Sequence, residues 1–328
     1  MKYIITDYDI PYFNLALEEY LLSQEKFTDD YFFFYIHKPS VIIGKHQNAY
    51  EEVNTTFLTQ NNIYTARRLS GGGAVYHDEG NLNYSFVTKR APNQNVDFER
   101  YTHYIIKALS NLGIKATLTG RNDLCIGEKK FSGNAQYLTN DKVLHHGTLM
   151  FDVNLQNMLN ALNVSNIKIE SKAIKSIKSR VINLIEVAPP NTDINILKEQ
   201  ILKEIFKGEN ADIYELTNED KEAVKILAEN KFAQKSYIFG TKFGYNITKK
   251  RKYPSGIVQA DINITKNIIT KFKISGDFFT NKDLEYAENA LLGLAFNQSA
   301  ITEKLKKINF DGYIKNFTTE EMIDLLFF

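Results

Sequence analysis

The chain of 328 residues contains one cysteine, Cys125, and no tryptophan. A single thiol excludes an internal disulfide and is consistent with a reducing cytoplasm. No apolar run approaches the roughly 20 residues of a membrane-spanning helix, and Asp7 and Asp9 follow the apolar start too closely for a signal peptide. The formal net charge of +1 gives no field that would attract nucleic acid or a membrane surface. We therefore expect a cytoplasmic protein with neither of these partners.

Apolar residues make up 43% of the chain and charged residues 24%, which is typical of a soluble globular protein. The length fits two domains. A composition shift at Thr248–Lys252 puts the predicted boundary near residue 246, with domains at 1–246 and 247–328. The basic run Lys249–Lys252 at this point is interpreted as a solvated linker.

Hydrophobic periodicity predicts an α+β protein. Asn14 is the expected N-cap of an amphipathic first helix that continues to Leu22. Further helices are predicted at about residues 97–112, 194–207, 219–231, 282–292, 302–307 and 318–325. Predicted strands cover residues 31–37, 41–44, 83–87, 114–118, 123–126, 130–137, 143–151, 256–264 and 267–275. Successive strands favour an antiparallel sheet with flanking helices over a doubly wound parallel sheet.

The segment from Arg67 to Asn81 organises the chain, because Arg67, Arg68 and Ser70 precede three consecutive glycines, Gly71–Gly73. Glycines let a ligand approach the main chain, and successive N–H groups in a turn form an anion-binding concavity. Neighbouring guanidiniums can grip a phosphate or carboxylate. A flexible turn is the alternative for the glycines alone. Neither the Walker nor the Rossmann pattern is present.

Two further clusters carry charged candidates. Asp123 follows a Gly-Arg-Asn turn and could hold Mg²⁺ against phosphate oxygens, or form a salt bridge with Arg121 in a surface turn. Lys129 and Lys130 open a predicted strand, and strand alternation sends their side chains to opposite faces, so only one can point at a central site.

Adjacent histidines and the lone thiol complete the candidates. His145 and His146 lie on a predicted strand and face opposite ways, so they are poor joint metal ligands, and no third ligand stands at zinc-like spacing. One of them is expected to form hydrogen bonds in a core or pocket. Cys125 lies in an apolar strand, where a buried, inert thiol is the favoured interpretation.

Together these motifs strongly resemble the lipoate–protein ligases. The segments are Arg-Arg-x-Ser-Gly-Gly-Gly-Ala-Val-Tyr-His-Asp at 67–78, Gly-Arg-Asn-Asp at 120–123, Lys-x-Ser-Gly-x-Ala at 130–135 and His-His-Gly-Thr-Leu at 145–149. Residues 14–19, 41–48 and 172–184 and the tail after 246 extend the likeness over nearly the full chain. The resemblance implies a fold like that of biotin ligases and class II aminoacyl-tRNA synthetases: a mixed sheet with flanking helices, plus a small α+β C-terminal accessory domain.

The implied reaction has two steps in one site. Lipoate attacks the α-phosphate of ATP to give lipoyl-AMP, and a lysine of an acceptor protein then takes the lipoyl group. The resemblance implies a central role for Lys130, which would contact both carboxylate and phosphate. Residues implied to bind ATP or the adenylate are Arg68, Gly73, Ala74, Val75, Tyr76, Asn81, Asp123 and Lys130. Residues implied to bind lipoate are Ser70, Gly71, Gly72, Lys130 and His146, and Asp123 is the candidate for Mg²⁺.

The implied partners are lipoyl acceptors, namely the glycine-cleavage H protein or dehydrogenase E2 lipoyl domains, and the expected state is a monomer. The lysine-rich segment 166–183 is a hypothetical cover for the adenylate, and Lys249–Lys252 could steer an acidic acceptor. The alternatives are an ATP-independent octanoyl or lipoyl transferase using Cys125, and a non-catalytic lipoyl-binding homologue. Biotin ligase is disfavoured because its Gly-Arg-Gly-Arg-type segment is missing.

Overall fold

A computed structural model describes residues 1–92, 94–162, 179–240 and 244–328. The strands are β1 (Lys2–Ile4), β2 (Tyr31–Tyr35), β3 (Ser40–Ile43), β4 (Tyr64–Arg67), β5 (Val75–His77), β6 (Asn81–Lys89), β7 (Thr117–Thr119), β8 (Asp123–Ile126), β9 (Lys129–Leu138), β10 (Lys142–Met150), β11 (Asp212–Ile213), β12 (Ile247–Tyr253), β13 (Gly256–Thr265) and β14 (Ile268–Gly276). The helices are α1 (Pro11–Ser23), α2 (Ala49–Glu52), α3 (Thr55–Gln60), α4 (Glu99–Asn111), α5 (Leu155–Ala161), α6 (Ile194–Ile205), α7 (Asn218–Leu227), α8 (Lys235–Phe239), α9 (Leu284–Ala290), α10 (Gln298–Lys307) and α11 (Thr319–Phe327).

The largest unit is an eight-stranded sheet in the order β11-β1-β2-β6-β10-β9-β8-β7. The pairs β1–β2 and β1–β11 are parallel, and the other neighbours in this sheet are antiparallel. The mixed sheet with flanking helices expected from the sequence is therefore confirmed. The predicted strand at 114–118 was placed too early, because the chain joins the sheet only at Thr117–Thr119.

The two faces of this sheet bury different cores, as strand alternation requires. One face carries Phe32, Tyr84 and Phe86 against α4 and α6. The other face carries Phe33 and Val87 against α1 and a small three-stranded sheet of order β4-β3-β5. The small sheet holds the two ends of the glycine turn, since β4 ends at Arg67 and β5 begins at Val75.

Helix α1 begins at Pro11, so the prediction that Asn14 caps it is wrong. Proline suits the first helical position, since its missing N–H would have no partner inside the helix and its φ is preset. Asn14 is instead buried one turn further on, where its Nδ2 donates to the carbonyl oxygen of Tyr8 at 2.7 Å. The helix directs Leu15 and Glu18 towards the sheet.

The C-terminal part contains an antiparallel sheet in the order β12-β13-β14 with helices α9 to α11 beside it. The basic run Lys249–Lys252 lies within β12, so its interpretation as a linker is wrong. Its outward side chains are solvated, while its main chain pairs with β13 from Lys249↔Ala260 to Lys252↔Ile257. The domain boundary near residue 246 stays a prediction.

Most of the proposed cover at 166–183 lies outside the described residues, which resume at Ser179. Within the described parts of the chain, every helix is too short or too polar to cross a bilayer.

Candidate active site

A cavity of about 110 Å³ lies between the α1-facing side of the large sheet and the small sheet. Its wall mixes apolar and polar side chains. The lining residues are Leu15, Tyr35, His37, Ile42, Arg68, Gly73, Ala74, Val75, His77, Asn83, Asn122, Lys130, Gly133, Asn134, Ala135, His146, Gly147 and Thr148. The end of the glycine turn and Lys130, which are distant in sequence, therefore face one space.

Lys130 lies at one side of this cavity, and its Nζ forms an ion pair with Asp123 Oδ1 at 2.8 Å. Its side chain reaches over Gly133, where a Cβ would lie 3.2 Å from the Lys130 Nζ. The main chain of Lys130 is fixed from both sides, since its N–H donates to Arg180 O and its carbonyl accepts from Ile182 N–H. Among the described residues, Lys130 lines the cavity and Lys129 does not, as strand alternation predicts.

Arg68 lines the cavity but uses most of its donors within the glycine turn. Its guanidinium donates to Gly71 O at 2.7 Å and to Gly73 O at 2.8 Å, and also to Ile42 O and Ser70 Oγ, both at 3.1 Å. Burial lowers the pKa of Arg68 to about 10, so the group remains charged at neutral pH. Arg68 therefore shapes the turn, and its contact with a phosphate stays a prediction.

Arg67 does not join Arg68 in facing an anion, so the prediction of a two-guanidinium grip is wrong. Its donors go to main-chain carbonyls of two segments distant in sequence. The acceptors are Gly44, Lys45, Gln47, Tyr237 and Ile238. Arg67 thus ties β4 to α8 and to the chain after β3.

Ser70, Gly71 and Gly72 lie behind the described cavity wall, and their role at the reacting carbonyl stays a prediction. Ser70 is fully buried. The N–H of Gly72 donates to Phe278 O at 3.2 Å, and a Cβ at Gly71 would overlap that same oxygen. The glycines are needed here because the chain after β14 packs directly on the turn.

A buried chain of hydrogen bonds joins Ser70 to the first helix. Ser70 Oγ lies 2.6 Å from His146 Nε2, and His146 Nδ1 lies 2.9 Å from Glu18 Oε1. His146 lines the cavity, whereas Glu18 is completely buried. A carboxylate at Nδ1 orients an imidazole and fixes its tautomer. His146 is thus held rigidly at the cavity wall, as expected for a pocket residue.

The segment after the turn divides between the cavity and the core. Gly73, Ala74 and Val75 line the cavity. The Tyr76 side chain packs in a separate apolar cluster with Val41 and Val53, so only its main chain remains for a ligand. The remaining candidate for the adenylate is Asn81. It is buried, and its Nδ2 donates to Asn83 Oδ1 at 3.0 Å.

Asp123 lacks the other carboxylates of a preformed metal site. Among the described residues no group of three or more His, Cys, Asp or Glu side chains could hold a metal ion. Magnesium is commonly bound by one or two carboxylates together with substrate phosphates, so Asp123 fits an ion that enters with ATP. The alternative salt bridge from Arg121 is wrong, because Arg121 pairs with Asp277 at 3.9 Å and donates to Ser255 O.

His145 and Cys125 are core residues. His145 faces away from the cavity, with its ring 4.6 Å from that of Tyr101 and its Nδ1 2.9 Å from Gln136 Nε2. Cys125 is buried, and its Sγ lies 3.0 Å from Thr119 Oγ1. Neither residue is part of the described cavity wall, so the thiol is not placed to attack a ligand there.

Sequence reasoning missed His37, His77 and Asn83 as cavity residues and Glu18 as the buried partner of His146. One signal was available. Residues 81–86 read Asn-Leu-Asn-Tyr-Ser-Phe, with polar side chains at every second position of a strand. This alternation indicates one face directed at something other than a hydrocarbon core.

Comparison with known proteins agrees with this geometry. Residues 10–206 match the Lipoyl protein ligase A/B catalytic domain, and residues 242–326 match the Bacterial lipoate protein ligase C-terminus. Lipoate-protein ligase LplJ of Bacillus subtilis (strain 168) is 39% identical over 320 residues, covering 97% of each chain.

Two solved structures share the fold. P. falciparum LipL1 in complex with lipoate superposes with a TM-score of 0.81 at 24% identity, covering 98% of this chain and 97% of that one. A bi-partite lipoate protein ligase from Thermoplasma acidophilum, described with its E2 lipoyl domain, gives a TM-score of 0.66 at 26% identity, covering 75% of this chain and 98% of the other.

The chain therefore belongs to the lipoate–protein ligase family. It is a lipoate–protein ligase, and the family, the α+β fold and the enzyme class predicted from the sequence are confirmed.

Proposed function

We propose that this ligase activates lipoate with ATP and then transfers the lipoyl group to an acceptor lysine, and that both half-reactions depend on Lys130. The observation that carries the proposal is that Lys130 and the turn residues Gly73–Val75 line one cavity. Attack of the lipoate carboxylate on the α-phosphate brings two anions together, and a fixed ammonium between them offsets their repulsion and aligns them. The main chain of Gly73–Tyr76 would hold the adenylate together with Asn81, and Arg68, which donates to Gly71 O and Gly73 O, would keep that segment in shape.

Asp123 has a second role in this proposal. Its Oδ1 forms an ion pair with the Lys130 Nζ at 2.8 Å. Arrival of the ATP-bound Mg²⁺ would give the carboxylate a new partner and release the ammonium towards the phosphate. The ion pair would thus keep Lys130 in place until the nucleotide arrives.

In the second half-reaction the ε-amine of an acceptor lysine attacks the acyl carbonyl of lipoyl-AMP, and AMP leaves. Ser70, Gly71 and Gly72 would support this carbonyl from behind the wall, and the bonds among Ser70, His146 and Glu18 would hold that support rigid. A preorganised polar environment is the main contribution a protein makes to such a step.

For the acceptor, we propose an E2 lipoyl domain, in line with the pairing of the archaeal ligase with such a domain. The glycine-cleavage H protein is the second acceptor to test.

We further propose that the enzyme acts as a monomer in the cytoplasm, where ATP is available, and that its domains divide at residue 246.

Replacement of Lys130 by alanine tests the central assignment. Lipoate-dependent ATP–pyrophosphate exchange is expected to fall by about a hundredfold or more, the usual effect of losing a group that stabilises transition-state charge. Mass spectrometry should then detect no lipoyl adduct on an E2 lipoyl domain or an H protein. Lys129→Ala is the matched control, since the neighbouring amine does not line the cavity. Equal exchange by both variants would contradict the role of Lys130.

A further inference from the structure

The pairing of β8 with β9 contains a β-bulge next to Lys130. Phe131 of β9 has no partner in β8, because the register shifts by one residue at this point. The paired residues are Asp123↔Gly133, Leu124↔Ser132, Cys125↔Lys130 and Ile126↔Lys129. A bulge of this kind sets two residues of one strand against one residue of its partner and can redirect a neighbouring side chain.

The bulge decides which face of the sheet Lys130 occupies. Gly133 lines the cavity, so strict alternation would turn the side chain three residues earlier, that of Lys130, to the opposite face. Instead, Phe131 and Ser132 both face away from the cavity. Phe131 packs in the core beneath α4, and Ser132 Oγ accepts from Asn134 Nδ2 at 3.3 Å on the same side of the sheet. Two consecutive side chains thus share one face, and Lys130 returns to the cavity.

The same bulge brings Lys130 to Asp123. Asp123 pairs with Gly133 and therefore shares its face of the sheet. Because Lys130 lies on this face too, its Nζ reaches Asp123 Oδ1 at 2.8 Å. In a regular ladder the two charged groups would lie on opposite faces of the sheet.

Both ends of the β8–β9 pair are fixed. At one end the tight turn Gly127-Glu128 joins the strands, with Gly127 at a φ of 59°. At the other end Asn134 donates to Asn122 O from its N–H at 2.9 Å and from its Nδ2 at 3.1 Å, and Asn122 Nδ2 donates to Asn134 O at 2.7 Å. These reciprocal bonds form the Asn122–Asn134 clasp. Between the fixed ends β9 has one residue more than β8, so a residue of β9 has to bulge.

Asn134 is itself held from the far side of β10. Its Oδ1 accepts from Tyr84 Oη at 2.5 Å. Tyr84 lies on β6 and reaches across β10 because Gly147 stands between them, where a Cβ would lie 2.5 Å from the Tyr84 hydroxyl and from Asn134 Oδ1. Asn134 is 2% exposed, and both polar atoms of its amide have partners within the protein. Its side chain therefore acts on the strand register and not on a ligand.

We propose that Asn134 is a positioning residue for Lys130: the Asn122–Asn134 clasp fixes the register of β8 on β9, and the resulting bulge aims the lysine amine into the cavity beside Asp123. This inference rests on the proposed function, in which both half-reactions depend on Lys130. A strand whose register is not fixed can slip by one residue, which turns its side chains to the other face. Loss of the clasp therefore misdirects the Lys130 amine, although no group that contacts a ligand is removed.

Asn134→Ala tests the proposal, because it removes the Nδ2 donor of the clasp. We expect kcat of lipoate-dependent ATP–pyrophosphate exchange to fall by about ten- to a hundredfold, since a reacting group displaced by about 1 Å can cost this much. In a Lys130→Ala background the same substitution should cause no further loss, because the amine that the clasp aims is absent. Labelled pyrophosphate makes the slow exchange of this background measurable.

Asn14→Ala is the matched control. Asn14 is also buried and donates from its Nδ2 to a main-chain carbonyl, that of Tyr8, but it lies on α1. Any loss that Asn14→Ala causes should be equally large with and without Lys130, as is usual for substitutions at independent sites.

Tyr84→Phe is the second variant, because it keeps the ring in the core and removes only the hydroxyl that holds Asn134. We expect a two- to tenfold loss of kcat, the effect of one ordinary hydrogen bond, and again only where Lys130 is present. Tyr84→Phe decides the test if Asn134→Ala does not fold.

A loss confined to the proteins that retain Lys130 supports the proposal. An equally large loss with and without Lys130, or exchange at the wild-type rate by the folded variant, would overturn it. Exchange at the wild-type rate by Lys130→Ala alone would instead refute the proposed function.

Discussion

One carboxylate oxygen of Glu18 accepts three buried hydrogen bonds. Its Oε1 accepts from Tyr35 Oη at 3.1 Å, from Ser85 Oγ at 2.5 Å and from His146 Nδ1 at 2.9 Å. These donors come from three adjacent strands of the large sheet and are joined at a single point of α1. Hydrogen bonds to a charged acceptor are stronger than those between neutral groups. Glu18 thus fixes the position of His146, and through it that of Ser70.

Glu18→Gln keeps the shape and removes the charge. We expect kcat of lipoate-dependent ATP–pyrophosphate exchange to fall by about ten- to a hundredfold, the usual effect of losing a partner that orients an active-site histidine. The free energy of unfolding should also fall, by about 1–3 kcal/mol, since three buried hydrogen bonds lose their charged acceptor, so exchange is measured at a temperature at which the variant stays folded. The measurement is steady-state exchange at saturating lipoate and ATP.

Glu19→Gln is the matched control for this substitution. The neighbouring carboxylate points the other way and pairs with Lys231 at 2.6 Å. Exchange by Glu19→Gln should equal that of the wild type. A Glu18→Gln enzyme with the same kcat as Glu19→Gln would show that the charge of Glu18 does not support catalysis.

Sequence motifs identified the side chains that face the cavity better than those that build it. Lys130 and His146 follow from strand alternation within their motifs, and the structure puts both on the cavity wall. The hydrogen bonds of the Arg67 guanidinium could not be predicted, because its acceptors at Tyr237 and Ile238 are far away in the sequence. The contact between His37 and His77 escaped for the same reason. It forms only when β5 packs against the end of β2.

At the scale of elements, α7 is fixed by its first turn. Asp220 takes part in a capping box with Thr217 and accepts hydrogen bonds from Tyr20, Lys26 and Tyr214. Burial alone would raise the pKa of Asp220, but the hydrogen bonds from Lys26, the Thr217 N–H and the two tyrosines outweigh it and lower that pKa. One carboxylate therefore joins α7 to α1.

Asp220→Asn is expected to lower the free energy of unfolding by about 1–3 kcal/mol at pH 7. Since the pKa is lower in the folded than in the unfolded chain, this stabilisation is complete above about pH 4, the unfolded value. It is lost as the pH falls through the folded value. Urea unfolding of both proteins at several pH values should give a difference that is constant from pH 7 to 5 and shrinks below 4.

Glu222→Gln, on the exposed side of the same helix, controls for a change of net charge. Its free energy of unfolding should stay within about 0.5 kcal/mol of that of the wild type. A difference between wild type and Asp220→Asn that did not shrink in acid would contradict the lowered pKa.

Element types were largely predictable, and their exact starts were not. The amphipathic pattern of α4 and the alternation of β13 and β14 predicted these elements within a few residues. Asn14 misled because a cap signal and a buried asparagine look alike in sequence. Lys249–Lys252 misled because an edge strand can carry outward charges while its main chain pairs with a neighbour.

At the scale of the whole molecule, the part after residue 246 packs on the catalytic part through main chain as well as side chains. His46 O accepts from Gly276 N–H at 3.0 Å, and Lys45 pairs with Asp283 at 2.9 Å. The Phe279 ring lies 5.3 Å from that of Phe98 and is 3% exposed. The glycine turn, which the sequence presented as a ligand site, is therefore also a packing surface between the two parts.

Gly71 tests this second role of the turn. In Gly71→Ala the added methyl group would overlap Phe278 O, which belongs to the main chain and cannot rotate aside. We expect the free energy of unfolding to fall by about 1–3 kcal/mol, and hydrogen exchange at residues 276–280 to quicken. Gly73→Ala is the matched control for stability, because a Cβ at Gly73 would meet no described atom within 4 Å. Equal exchange at 276–280 in both variants would show that the turn does not secure the C-terminal part, whose attachment would then depend on Phe279 and the Lys45–Asp283 ion pair.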